Sequence, residues 1–447
     1  MTVIQLPTAQ AAGKSTPDHG HLASYLTHGE DLIYTEKRFW QFDDERGIWE
    51  PVPDEAMIQK AERICRQAGA EVTANRINGV LKLATGQAHR VIQWNQSGQR
   101  DICASNGVLH YEGGGKWAAR PYRREDYRRI SLPITYNPKA TCPRFTRFVQ
   151  EIFHGCDDAK ERTLALVEMM ALTLTATTEY EKAALLVGSG SNGKSVVLRL
   201  LSDMLGEYVS GVNPAEFDNR FQRGSIDGKL ANIVTELPEG TTLPDGAIKA
   251  IISGEACTVE RKFKDPFVMT PIAKIWIGSN HMPGTRDFSP ALFRRFTILK
   301  FPNKFVDTEA ELGPGVMLKD IRLAEKLRAE IPGILNVLLR ALGNAFDRGY
   351  LTSPPSSIDA VDQWKRDSDQ VLTFLEEEII REPGAKITSA EIYSLYQSWA
   401  QSAGIQRPVN RKNFTTRVEA LGWATAGKST GGTRCLWGVR QRFGGDL

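Results

Sequence analysis

From about residue 183 to 305 the chain alternates short, wholly apolar runs with longer stretches of helical period. AALLVG (183–188), the start of LANIVTELPE (230–239) and AKIWIGSN (273–280) are continuous apolar runs, the pattern of strands buried on both faces. KSVVLRLLSDML (194–205) is apolar at helical spacing and stops at Gly206. This alternation predicts a parallel α/β core. Helical patterns precede it over 144–178, and mostly helical segments follow, among them GILNVLLRALGNAF (333–346).

The flanks read differently. Residues 30–50 have the pattern of strands around a turn at Asp43–Gly47, with Trp40 and Trp49 beside it. A helix over 54–68 follows, with Asp54 placed as its N-cap after Pro53. The Pro-rich stretch SLPITYNPKATCP (131–143) reads as a linker, and TSPPSS (352–357) as a second boundary. The expected organisation is therefore a flexible tail at 1–29, a mixed α+β domain at 30–143, the α/β domain with helical flanks at 144–351, and a small domain at 358–447.

Composition narrows the class. With 447 residues, 41% hydrophobic and 24% charged, the chain is too long for one core and reads as a soluble multidomain protein. The six cysteines form no C-x-x-C pair and the seven histidines show no metal-ligand spacing, which points to reduced thiols and to no zinc site. No apolar run reaches membrane-spanning length and no signal peptide opens the chain, so the expected setting is intracellular, a cytoplasm without membrane attachment.

The interruption of the apolar pattern at 188–195 carries the chemistry. Gly188-Ser189-Gly190-Ser191-Asn192-Gly193-Lys194-Ser195 matches G-x-x-x-x-G-K-[ST] between a strand and a helix. Glycines let successive backbone N–H groups point at phosphate oxygens, and the following helix adds its positive end. Lys194 would reach the β- and γ-phosphates of ATP, and the Ser195 hydroxyl would join the shell of a Mg²⁺ ion. Hydrolysis further needs a carboxylate at a neighbouring strand end. Glu236 supplies one after LANIVT, with Glu239 as the alternative. Asn280, closing the third run, could orient the attacking water or sense the γ-phosphate. In ALFRRF (291–296), Arg294 and Arg295 could reach phosphates of a neighbouring subunit.

The end of the chain is basic. The overall formal charge is +3, yet the last 47 residues hold Arg407, Arg411, Lys412, Arg417, Lys428, Arg434, Arg440 and Arg442 against Glu419 and Asp446. Thr388-Ser389-Ala390-Glu391 forms a capping box for one helix. RKNFTTRVEALG follows as a second helix after Asn410, and WATAGK and TRCLWGVR flank Ser-Thr-Gly-Gly as a two-stranded wing. That order predicts a winged helix-turn-helix that binds DNA, with Arg411, Lys412 and Arg417 on the recognition helix and Lys428 and Arg434 meeting the backbone from the wing.

Taken in order, GSGSNGKS, ANIVTE, IKAIISGEACTVERKFKDPF, KIWIGSNHMP and LFRRFTILKF resemble the superfamily 3 helicase core of phage and plasmid primase–helicases, a group that includes the poxvirus-type primase–helicase. ASNGVLHYEGG (104–114) and LPITYNPKATCPRFTRFVQEIF (132–153) resemble the segments that precede that core, so the likeness spans roughly 30–447. It implies a AAA+-like ATPase working as a ring, usually a hexamer, moving 3′→5′ on single-stranded DNA, and a specific site bound by the C-terminal winged helix would be a replication origin. Glu236 would be the Walker B acid, Asn280 sensor 1, and Arg295 in preference to Arg294 the arginine supplied in trans. The segment 258–267 falls where the family carries a DNA-touching pore loop, and Arg261, Lys262 and Lys264 around Phe263 suit single strands. The N-terminal region would be a collar that assembles the ring. Many relatives carry a primase–polymerase domain first; only about 30 residues precede the matching region here, so the expectation is a helicase part whose primase is a separate chain. Two other readings share the motifs: an ATPase that melts an origin without processive unwinding, and a non-catalytic DNA-binding protein that keeps nucleotide as a structural ligand.

Overall fold

The computed structural model describes residues 17–28, 31–95, 99–262, 265–285, 289–405 and 408–443. Its N-terminal part opens inside the expected tail of 1–29 with helix α1 (His19–Thr27), capped by the Asp18 carboxylate, which accepts from His21 N, and Leu22, Ala23 and Leu26 bury it against the helices that follow. An antiparallel sheet follows, β1 (Leu32–Thr35), β2 (Arg38–Asp43) and β3 (Ile48–Pro51), then α2 (Asp54–Gln67) and α3 (Ala74–Ala88). Alternation along β2 decides the packing: Phe39 joins the apolar cluster of the three helices, while Trp40 and Phe42 turn to the opposite face with Ile33 and Trp49. Asp54 is not the N-cap of α2. Pro53 holds that position without a side-chain cap, and Asp54 acts as a first-turn charge on the helix dipole.

A second antiparallel sheet, β4 (Ile102–Ala104), β5 (Gly107–Gly113) and β6 (Lys116–Arg120), does not belong to that unit. Its Ile102 and Leu109 share one apolar cluster with the parallel core, and so do Ile130, Leu132 and Ile134 of the expected linker. Leu132 N donates to Cys103 O at 2.8 Å and Ser105 N to Ile134 O at 2.9 Å, so the Pro-rich stretch continues the sheet instead of separating two cores. Leu132 and Ile134 flank Pro133 at strand spacing and are each 1% exposed, a pattern the prolines obscure.

The parallel core starts after α4 (Pro143–Glu151) and α5 (Ala159–Thr173). It contains β7 (Ala183–Val187), α6 (Lys194–Leu205), β8 (Val209–Ser210), the short α7 (Arg220–Gly224), β9 (Ala231–Val234) and α8 (Asp245–Ser253). A hairpin of β10 (Cys257–Val259) and β11 (Phe267–Met269) projects before β12 (Lys274–Ser279), α9 (Pro290–Phe293) and β13 (Phe296–Lys300). The five core strands are parallel in the order β13-β7-β12-β9-β8. Both faces are covered. Trp276 packs on the α5–α6 side and donates to Thr173 Oγ1 at 2.9 Å, whereas Ile275 and Ile277 pack toward α8.

A two-stranded parallel pair, β14 (Lys304–Val306) and β15 (Val316–Leu318), leads into α10 (Leu323–Ala329) and α11 (Ile331–Arg348). Helix α11 also covers β4–β6: Trp117 Nε1 donates to Leu339 O at 2.9 Å and Tyr111 Oη to Gly343 O at 3.3 Å. The next helix, α12 (Pro355–Ser368), lies beyond the TSPPSS break yet still belongs to the core. Its Trp364 is buried edge-on against Phe293 and Phe296 and donates to Pro283 O at 2.6 Å. The C-terminal unit therefore has its own apolar cluster only from α13 (Gln370–Glu378), one helix later than the sequence boundary. It continues as β16 (Ile379–Thr388), α14 (Ser389–Ser402), α15 (Arg411–Ala420), β17 (Thr425–Lys428) and β18 (Arg434–Gln441), with sheet order β16-β18-β17. Thr388 and Glu391 make the expected capping box on α14, and Asn410 caps α15. The expected two-stranded wing gains β16 as a third strand.

Candidate nucleotide site and basic surfaces

The loop 188–195 leaves the C-terminal end of β7 and enters α6. Gly193 takes φ +92°, and a Cβ there would sit 2.8 Å from Ile152 Cγ2, so the loop reaches the end of α4 only as glycine. Phe305 N donates to Ser191 O at 2.7 Å, which fixes the loop to β14. The buried Asn192 donates from Nδ2 to Phe301 O at 3.4 Å. Lys194 is also buried, its ammonium donating to Gly188 O, to Asn192 Oδ1 at 3.2 Å and to Asn280 Oδ1 at 3.4 Å. These partners are all neutral oxygens, and Lys194 makes no ion pair among the described residues. Burial pushes its pKa down, and the Glu236 carboxylate opposes that shift. A buried cation with neutral partners fits an anionic ligand such as a triphosphate.

A cavity of about 540 Å³ opens over this lysine. Gly190 to Ser195, Glu236, Asn280 and Thr235 all line it, so the geometry brings together the residues selected from three separate sequence segments. Gly188 and Ser189 form the approach of the loop and are not lining residues. Glu239 is exposed and does not line the cavity, which leaves Glu236 as the carboxylate at the end of β9 that faces the loop. Gly278 permits the close fit of β12 beside the end of β9: a Cβ there would be 2.5 Å from Thr235 O.

The far wall was not read from the sequence. Arg144, Phe148, Phe305, Leu318, Asp320 and Ile321 contribute to it from α4, β14, β15 and the turn into α10. Arg144 Nε bonds Asp320 Oδ2 at 3.1 Å, and Lys326 does so at 2.9 Å. Lys326 first, then Arg144, holds the Asp320 carboxyl below its usual range. Ile321 is 87% exposed between Asp320 and Arg322, and no motif in the sequence marks this wall.

The two candidate trans-acting arginines part company. Arg295 is buried and bonded within its own chain, to Ser253 Oγ at 2.7 Å, to Ala291 O at 2.5 Å, and in an ion pair with Glu181 at 2.9 Å. Arg294 is exposed, with only a 3.7 Å approach to the same carboxylate. Neither lines the cavity. The preference for Arg295 is thus reversed, because its guanidinium is already satisfied inside the fold.

The candidate DNA contacts also divide. Arg411, Lys412, Lys428 and Arg434 line a concavity of about 710 Å³ between α15 and the β17–β18 pair, with no carboxylate among the lining residues. Arg417 is not with them. Its guanidinium donates to Asp369 Oδ2 at 2.8 and 2.6 Å, and Asp369 is wholly buried while capping α13. Arg417 is a structural partner of that carboxylate, not an exposed contact on the recognition face. In the hairpin, Arg261 pairs with Asp227 at 2.7 Å and lies over Phe267, while Lys262 is exposed. Phe263 and Lys264 lie outside the described residues, as does Arg407.

Three family profiles match successive parts of the chain: "D5 N terminal like" over residues 21–154, a family of unknown function (DUF5906) over 186–295, and "Poxvirus D5 protein-like" over 366–431. Among curated proteins, "Putative helicase 022R" of Frog virus 3 (isolate Goorha) is 23% identical over 243 residues, half of this chain and 25% of that protein. "Putative helicase L207/L206" of Acanthamoeba polyphaga mimivirus is 22% identical over 57% of this chain and 28% of its own length. "Putative helicase 121R" of Invertebrate iridescent virus 3 is 23% identical over 67% of the chain and 34% of its own. The chain thus spans about a quarter to a third of these relatives. The apo structure of the NrS-1 C-terminal region superposes with a TM-score of 0.53 at 12% identity, covering 95% of this chain and all of that one, a likeness of fold. Two D5-type profiles at opposite ends of the chain, together with these relatives, support a D5-type family. No described helix is long and apolar enough to cross a membrane.

Proposed function

We propose that this chain is an ATP-dependent replicative DNA helicase of a phage or mobile genetic element. It would act as a ring, a hexamer by the superfamily 3 resemblance, that moves 3′→5′ along one strand and docks on origin duplex through a C-terminal winged helix. The observation that carries this reading is the single cavity lined by Lys194, Ser195, Glu236 and Asn280 at the C-terminal edge of a parallel sheet. Relatives named as helicases make nucleic acid the fitting substrate.

In this reading the loop N–H groups and Lys194 would hold the phosphates of ATP, and the Ser195 hydroxyl and Glu236 would hold Mg²⁺, which when bound would supply charge neutralisation at the phosphates. Glu236 and Asn280 orient water. Arg294 of the adjacent protomer, free to leave its own Glu181, stabilises the transition state in trans.

ATP hydrolysis by the purified chain, with and without single-stranded DNA, tests it. DNA should stimulate turnover, Lys194→Ala and Arg294→Ala should each lose it, and mixing the two variants should restore part. Forked-substrate unwinding then separates a translocating helicase from an origin-melting ATPase. Turnover that is absent or indifferent to DNA would overturn the motor reading and leave nucleotide as a structural ligand.

A further inference from the structure

At the seam between the β1–β3 sheet and the β10–β11 hairpin, three arginines from distant parts of the chain converge on aromatic rings. Arg38 and Arg129 lie over Trp40 at 4.5 and 4.7 Å, and Arg129 also over Trp94 at 5.6 Å. Arg261 lies over Phe267 at 4.6 Å. Their carboxylates are too few. Arg129 and Arg261 share Asp227 Oδ2, at 3.3 and 2.7 Å, and Arg38 reaches Glu36 only at 3.4 Å. Glu36 is also bound by Trp94 Nε1 at 2.9 Å. Lys262 adds an exposed charge, whereas Lys37 on the neighbouring turn is matched by Asp265 at 2.8 Å. Burial, then repulsion from Arg261 and Arg129, pushes the Arg38 pKa down. Rings fix the guanidinium planes at little entropic cost, and among the described residues the positive charge outnumbers the carboxylates that pair with it.

We propose that Arg38, Arg129 and Arg261, with Lys262, form a binding site for the phosphate backbone of single-stranded DNA that extends the hairpin's contact surface onto the N-terminal sheet. The site rests on the DNA-motor reading above and gives the N-terminal region a direct share in holding the strand. Guanidinium forks match phosphate oxygens, and their ring-stacked faces leave their edges for the ligand.

Fluorescence anisotropy with labelled oligothymidylate over a salt series tests this. Arg38→Gln and Lys262→Gln should each weaken binding about tenfold at about 50 mM salt and lower the slope of log affinity against log salt by about 0.7. Arg38→Lys should keep the slope. Lys37→Gln, which breaks an exposed pair on the same seam, should leave both quantities within twofold. Thermal unfolding midpoints within a degree or two of wild type would confirm that the variants are folded, and Arg129→Gln, read the same way, carries the test if Arg38→Gln is not folded, whereas Lys262→Gln reads the hairpin's own contact. Wild-type binding with unchanged affinity and slope in the folded Arg38 or Arg129 variant overturns the site alone. No binding of oligothymidylate by the wild-type chain overturns the motor reading and the site with it.

Discussion

The nucleotide cavity and the C-terminal basic concavity are both built to take phosphate, by opposite means. In the cavity the key cation is buried and wrapped by neutral oxygens, on a loop fixed by its neighbours. In the concavity the cations stand exposed on one helix and a strand pair, with no carboxylate lining the space. The first arrangement is strained by desolvation until its ligand arrives; the second is merely screened by water and salt. A buried site should therefore respond to single changes almost all-or-none, and an open one by graded, salt-dependent steps.

Lys194→Ala should produce the largest effect, lowering ATP turnover at least about 100-fold; retention of a tenth of wild-type turnover would mean the lysine does not touch the reacting phosphates. Two arginines on α15 sharpen the contrast within ten residues. Arg417→Ala leaves the buried Asp369 carboxylate unpaired and should cost about 3–5 kcal/mol of C-terminal domain stability in urea unfolding. Arg411→Ala should change stability by no more than about 0.5 kcal/mol, yet weaken duplex binding and reduce its salt slope by about 0.9. Equal stability losses at the two positions would erase the distinction between a structural and a ligand-facing arginine.

A third contrast, read against pH, concerns Lys274, at the start of β12. Its ammonium is buried, donating to Thr175 O at 2.6 Å and Ile272 O at 3.0 Å, and burial lowers its pKa from 10.5 to about 7. Between those values the unfolded chain holds the proton and the folded chain releases it, so stability should rise with pH from about 7 toward 10.5. Lys274→Met should flatten that slope in urea melts run across the window. A slope identical to wild type would show that the lysine keeps its proton on folding.

The difference also explains what could be read from residues alone. The phosphate loop is constrained at every position, so its motif and the apolar runs around it located the cavity, and Glu236 and Asn280 followed from their strand ends. Arg417 was misassigned because charge along a helix does not say which side faces a buried carboxylate; Asp369 lies 48 residues away. The partners of Arg295 are hidden for the same reason, Ser253 and Glu181 being distant in sequence. Pro133 and the TSPPSS break punctuate the chain locally, but apolar side chains on both sides of Pro133 join one cluster, and those flanking TSPPSS pack on the two faces of the same sheet. Local breakers end elements, whereas domain limits depend on who covers whom. The wall containing Ile321 had no motif, because shape rather than reactivity selects it.

The pairing of β4–β6 with α11 also sets an order of events during synthesis. Trp117 meets Leu339 across 222 residues. At about 5–20 residues per second, a ribosome needs on the order of 10–45 s to deliver that covering helix after the tryptophan has been made. Throughout that interval Tyr111 and Trp117 lack their native partners, and their closure joins contacts of very long sequence separation, which fold slowly. Nascent chains of this protein should thus be clients for holding chaperones until α11 emerges, and protease resistance of the β4–β6 sheet should appear only then.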